Sequence, residues 1–241
     1  MPRLISIAAV FLVFLCTQTL AETVRFNAGD GVEITAEFLK PEGEFSNILV
    51  LYHMAGASRG EYRDIAPVFN ELGYATLAVD QRSGGGFNGV TNETASKAGG
   101  AVSYTKAIPD MLAAAEWARQ NSGARQVGVL GSSYSAGLVL VLAAQSRDFA
   151  DVVISFSPGE YFGSANFVSG KLKEMKVPVF LTSARNETRQ WKAFEAKISA
   201  PVTGFVPQGV GRHGATTLVS ADGIEYWDAL KKFLSEHFPA R

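Results

Sequence analysis

Short, continuous apolar runs alternate with longer amphipathic stretches through most of this chain. Asn47 to Tyr52, Ala75 to Val79, Val127 to Leu130, Val152 to Phe156, Val177 to Thr182 and Pro201 to Val206 read as buried strands. Tyr62 to Leu72, Lys106 to Gln120, a segment opening at Ser135, Thr188 to Ile198 and Gly223 to Phe238 read as helices. Nearer the start, Val32, Ile34, Ala36 and Phe38 alternate with polar residues. That period of two predicts an antiparallel hairpin of Thr23 to Asn27 and Val32 to Lys40 around Gly29 to Gly31, closed by Pro41-Glu42-Gly43.

Apolar strands separated by helices imply an α/β fold: a mostly parallel central sheet with helices on both faces and an N-terminal antiparallel hairpin. Right-handed crossovers would bring the strand C-termini to one rim, where such sheets bind ligands. The long stretch Gln81 to Tyr104, with Gly84-Gly85-Gly86 and Gly99-Gly100, is expected to be irregular and to form one wall of an active-site cleft. No repeat or low-complexity tract interrupts residues 22–241, which read as one domain.

Residues 1–21 follow a different logic. Arg3 precedes an apolar stretch from Leu4 to Leu15, and Thr17-Gln18-Thr19-Leu20-Ala21 ends on a small residue before Glu22. This is the order of a secretory signal peptide, so the product is expected to be exported, periplasmic or secreted, with no stable membrane span after cleavage. Cys16 is the single cysteine and would leave with the signal, and Leu15 before it does not fit a lipoprotein site. The mature chain then has no disulfide, no thiolate nucleophile and no cysteine metal site. Losing Arg3 moves the formal charge from -1 to -2, and no basic run stands out, which gives no reason to expect nucleic-acid binding. Asn92-Glu93-Thr94 and Asn186-Glu187-Thr188 match the glycosylation sequon.

The candidate chemistry centres on Gly131-Ser132-Ser133-Tyr134-Ser135, between the run Val127 to Leu130 and an apolar helix. A strand, a sharp turn with serine at its tip and a helix present the Ser133 hydroxyl where backbone N–H groups can receive developing negative charge. A serine needs a base, and the chain has three histidines. His213, in Gly211-Arg212-His213-Gly214 beyond the last strand, is the expected base. His237 near the end of the last helix reads as a dipole-complementing residue. His53 after Asn47 to Tyr52 reads as a brace for its loop. Glu187, one short loop past Val177 to Thr182, is the expected orienting acid, with Glu160 as the alternative. Asp80 reads as a structural acid beside Arg82. The oxyanion donors are expected from Tyr134 and from Ala55 or Met54.

Four blocks in order, Leu51-Tyr52-His53-Met54-Ala55-Gly56, Leu77-Ala78-Val79-Asp80-Gln81-Arg82-Ser83-Gly84, Gly131 to Ser135 and Gly211 to Gly214, resemble the α/β-hydrolase superfamily. Within it the chain is similar to the dienelactone-hydrolase-like small esterases, across about residues 45–240. The resemblance implies a serine carboxylic-ester hydrolase that needs no cofactor and no metal and takes a small-molecule ester as partner. Nothing in the sequence sets an oligomeric state. Three positions depart from the usual pattern. Met54 follows His53 where glycine is usual, Ser135 replaces the last glycine of the turn, and Glu187 stands where aspartate is common. Two rival functions use the same residues: a peptidase or amidase on one triad, and a non-catalytic binding protein on the hydrolase fold.

Overall fold

A computed structural model describes residues 21–100 and 102–240. The expected signal segment, Cys16 included, lies outside the described residues except for Ala21. Among the described residues ten strands form, in chain order β1 (Glu22–Asn27), β2 (Glu33–Leu39), β3 (Asn47–Tyr52), β4 (Ala75–Val79), β5 (Gly86–Phe87), β6 (Val90–Thr91), β7 (Gln126–Ser132), β8 (Val152–Phe156), β9 (Val179–Thr182) and β10 (Val202–Phe205). The helices are α1 (Ala66–Glu71), α2 (Glu93–Lys97), α3 (Ile108–Asn121), α4 (Tyr134–Gln145), α5 (Thr188–Glu195) and α6 (Gly223–His237). Eight strands make one sheet in the order β1-β2-β4-β3-β7-β8-β9-β10. β1 and β2 pair antiparallel, as does β2 with β4, and every pair from β4 to β10 is parallel.

Strand periodicity sends alternate side chains to opposite faces, and both faces are covered. Ile48, Val50 and Tyr52 join the core built with α3 and α4, whereas Leu49 and Leu51 join the core under α1 and α6. Buried side chains of this size contribute about 1.5–3 kcal/mol each, which makes the strand pattern the main determinant of the sheet. α4 is apolar on every side, and Tyr134 through Ala144 are all buried.

The differences from the sequence reading have local causes. Helix α3 begins at Ile108 with Pro109 in its first turn, and the residues before it, Tyr104–Ala107, take a 3-10 turn. Proline lacks the N–H that an earlier start would need, and it suits a first turn. Pro67 does the same for α1, after a separate 3-10 turn at Arg59–Tyr62. Pro178 likewise delays β9 to Val179. The segment from Gln81 to Tyr104 is not wholly irregular. It carries the β5–β6 hairpin and α2, whose N-cap is Asn92. No helix among the described residues is long and apolar enough to cross a membrane.

Candidate active site

β7 ends at Ser132 and α4 starts at Tyr134, so Ser133 alone makes the turn, at φ 60° and ψ −120°. That left-handed conformation is strained for a residue with a Cβ, and it points the side chain out of the sheet edge. Gly131 makes the turn possible, because a Cβ there would fall on the Ser135 carbonyl and lie 2.7 Å from the Ala136 Cα. Ser135 has its own work. Its hydroxyl donates to the His53 carbonyl at 2.7 Å and accepts from Gln81 Nε2 at 2.9 Å. The hydroxyl therefore ties the nucleophile helix to the loop after β3, a tie that glycine could not make.

His213 stands in the Gly-flanked loop between β10 and α6. Its Nε2 lies 2.8 Å from Ser133 Oγ, and its Nδ1 lies 2.6 Å from Glu187 Oε1. An ionised carboxylate only accepts, so Nδ1 carries the proton and Nε2 is the free base facing the serine. Glu187 is held in turn. Its other oxygen accepts from Ser157 Oγ at 2.6 Å, and Ser157 Oγ accepts from the Gly214 amide at 2.9 Å. Ser157, at φ 58°, is a second strained serine at this rim. The hydrogen bond that His213 donates to Glu187 raises the His213 pKa above its ordinary value against the opposing effect of burial. Burial alone would raise the Glu187 carboxyl, but its bonds to His213 and Ser157 bring it below the usual carboxylate value.

Glu160 is elsewhere. Its carboxylate accepts from the Val168 and Ser169 amides at 2.7 and 2.8 Å, capping a loop. Asp80 is structural as expected, but its cation is Arg59 rather than Arg82, and it also accepts from the Glu93 amide at 2.8 Å. Arg82 instead bridges Asp110 and Asp30. His53 is fully buried, and burial holds its pKa below the ordinary value. Its Nε2 accepts from the Gln81 amide at 3.0 Å, so Nδ1 donates to the Met54 carbonyl at 2.7 Å. His53 braces the loop and faces no nucleophile. His237 packs against Phe233, 5.1 Å between ring centroids.

The two loop amides named for the oxyanion differ. The Met54 N–H is already committed, donating to Glu61 Oε2 at 2.6 Å. It is therefore a fixed point of the loop rather than a free donor. The Ala55 amide has no hydrogen-bond partner among the described residues. Tyr134, as the first residue of α4, presents an amide that the helix itself does not use. Glu61 escaped the sequence reading altogether. It sits in a short polar stretch, Ser58-Arg59-Gly60-Glu61, with no periodicity to mark it as buried.

A cleft of about 310 Å³ is lined by Ser103, Tyr104, Thr105, Tyr161, Phe162 and Gly163, none of them charged. Tyr104 stacks on Tyr134 at 4.5 Å, which fixes that wall to the nucleophile turn. Tyr161 OH donates to the Ser157 carbonyl at 3.0 Å, and burial, then the nearby Glu187 charge, push its phenol up to about 12. A larger depression, about 590 Å³, is lined by Glu37, Arg63, Asn70 and their neighbours and includes none of these groups. Among the described residues no three His, Cys, Asp or Glu side chains are grouped to hold a metal ion.

Sheet order, strained serine turn and covered faces together define an α/β-hydrolase fold of the dienelactone-hydrolase-like kind. The chain belongs to the X-Pro dipeptidyl-peptidase (S15) family, whose profile matches residues 30–193. A dienelactone hydrolase from Anabaena variabilis superposes with a TM-score of 0.72 at 18% identity, covering 91% of this chain and 99% of its own. An esterase from Pyrococcus furiosus gives 0.72 at 16% identity, covering 98% and 96%. The acylaminoacyl peptidase of Pyrococcus horikoshii gives 0.65 at 16% identity, covering 94% of this chain and 43% of that one. No curated protein sequence matches the chain.

Proposed function

We propose that this hydrolase is an exported serine esterase that cleaves carboxylic esters of neutral acids through an acyl-enzyme. The observation that carries it is the relay of two short contacts, 2.8 Å from Ser133 Oγ to His213 Nε2 and 2.6 Å from His213 Nδ1 to Glu187. Ser133 Oγ attacks the ester carbonyl carbon while its proton passes to His213 Nε2. The amides of Tyr134 and Ala55 receive the negative charge that builds on the carbonyl oxygen. Collapse of the tetrahedral species expels the alcohol, which takes the proton from His213. Water then attacks the acyl-serine by the same route in reverse order and releases the acid. Export is supported by the composition of residues 1–21.

The uncharged cleft favours an ester over a dipeptide end. A peptide amino terminus is a cation at neutral pH, and a site for it needs a carboxylate or several acceptors to replace its hydration. The nearest glutamate past β8, Glu160, is spent on backbone amides. The family description keeps a peptidase as the competing reading. Turnover of p-nitrophenyl acetate and butyrate, set beside X-Pro-p-nitroanilides, decides between them. Ser133→Ala and His213→Ala should each lower ester turnover by about 10⁴-fold or more while the circular dichroism spectrum stays native. Ester turnover surviving in Ser133→Ala would remove the mechanism, and turnover confined to the anilides would make the chain a peptidase.

A further inference from the structure

Glu61 is a buried acid that the relay of Ser133, His213 and Glu187 does not use. It lies in the 3-10 turn Arg59–Tyr62 between β3 and α1, and only 2% of it is exposed. That turn is pinned from both sides, by Ser58 Oγ accepting from the Gly60 amide at 3.1 Å and by the Arg59–Asp80 ion pair. Each carboxylate oxygen of Glu61 holds a different loop. Oε2 accepts from the Met54 amide at 2.6 Å, and Oε1 accepts from Ser132 Oγ at 2.6 Å. Ser132 Oγ in turn accepts from the Ala215 amide at 2.9 Å. Met54 precedes Ala55, Ser132 precedes Ser133, and Ala215 lies two residues past His213. One carboxylate thus reaches a neighbour of the proposed oxyanion donor, of the nucleophile and of the base.

Resting on the esterase reading above, we propose that Glu61 is the positioning residue of this site: in its ionised form it locks the three loops in register and places a negative charge where His213 becomes a cation. As the hydrogen bonds are directed, both Glu61 oxygens accept, which is the pattern of the carboxylate. A protonated acid must donate from one oxygen, and Ser132 Oγ would have to turn its own proton away to receive it. The charge matters for a second reason. Proton transfer from Ser133 makes an imidazolium, and a fixed anion in a low-dielectric surrounding stabilises it.

The ionisable groups that face Glu61 are His213 from the loop before α6, Tyr62 on its own turn and Tyr134 at the start of α4. Burial pushes both phenols up, so they stay uncharged near neutrality. Of the three, His213 alone changes charge there. Burial raises Glu61 itself to about 7, while its bonds to Ser132 and Met54 and the field of His213 pull the other way. Activity then needs two protons removed, one from His213 and one from Glu61.

The test is Glu61→Gln, which keeps size and removes the charge. Imidazole resonances of His213 are followed by NMR titration in the purified mature protein and in the variant, and kcat/KM for p-nitrophenyl acetate is measured across the same pH range. The expected results are a His213 titration displaced to lower pH and an acid limb whose logarithmic slope falls from above one to one. kcat should drop about 10- to 100-fold with little change in KM. An unaltered His213 titration together with an unaltered pH profile overturns the proposal. Ser132→Ala serves if the first variant does not fold. It breaks the clamp but keeps the charge, so kcat should fall while the His213 titration stays raised, and an unchanged kcat would again count against the proposal. Should the wild type hydrolyse no ester, the esterase reading fails on its own, and the NMR displacement still decides the role of Glu61.

Discussion

His213 is asked to be both oriented and basic, and Glu187 supplies both properties through one 2.6 Å contact. Because that contact raises the His213 pKa, the neutral imidazole that can accept the Ser133 proton forms only above the ordinary histidine value. Activity should therefore rise with pH through neutrality. Glu187→Gln should move that rise to lower pH and cut kcat by about 10³- to 10⁴-fold, because the amide no longer holds the proton on Nδ1. A pH–rate profile superimposable on the wild type would exclude this orienting role. These three residues were readable in the sequence, since side-chain type, chain order and flanking glycines all bear on them. Glu61, Tyr161 and Ser157 were not. Their positions follow from which loops meet across the rim, and no local pattern encodes that meeting.

At the scale of elements, the strands were the most legible part because period two and continuous apolarity are printed directly in the chain. Helix starts slipped where Pro67 and Pro109 set the first turn, with 3-10 turns taking up the preceding residues. The stretch from Gln81 to Tyr104 looked structureless because its pieces are short. What orders it is tertiary. Asn92 caps α2, donates to the Gln81 carbonyl at 2.8 Å and is fully buried, so the sequon there offers no surface asparagine in the folded protein. Tyr104 at its end lines the cleft of about 310 Å³ and stacks on Tyr134. The nucleophile turn rests on one backbone approach. Gly131→Ala would press a methyl group into the Ser135 carbonyl, and should cost about 3 kcal/mol in urea denaturation as well as most of the proposed esterase activity. A midpoint equal to that of the wild type would mean that the turn has slack it does not display.

For the whole molecule, the buried acid leaves a signature in stability as well as in rate. Unfolded, the Glu61 carboxyl ionises near 4.5, whereas in the folded chain it keeps its proton until about 7. The raised value favours the folded state at low pH, and this advantage disappears as pH climbs between those two values. A gap of about 2.5 pH units, at about 1.4 kcal/mol each, amounts to about 3.5 kcal/mol. The stability of the wild type minus that of Glu61→Gln should accordingly fall by about that amount from pH 4.5 to 7.5. Denaturant titrations of both proteins at several pH values would show it, and a constant difference would mean that Glu61 is ionised throughout.

The helix behind Ser133 has no water-facing side: every residue from Tyr134 to Ala144 is covered. Such a segment cannot persist as an isolated helix in water, so it acquires its shape only once β7, β8 and the 3-10 turns Tyr104–Ala107 and Leu172–Glu174 have closed around it. The proposed nucleophile, Ser133, is consequently a product of the finished assembly. Covalent capture by a fluorophosphonate would therefore count completely folded molecules, one tag per native chain, and partly collapsed forms would go untagged.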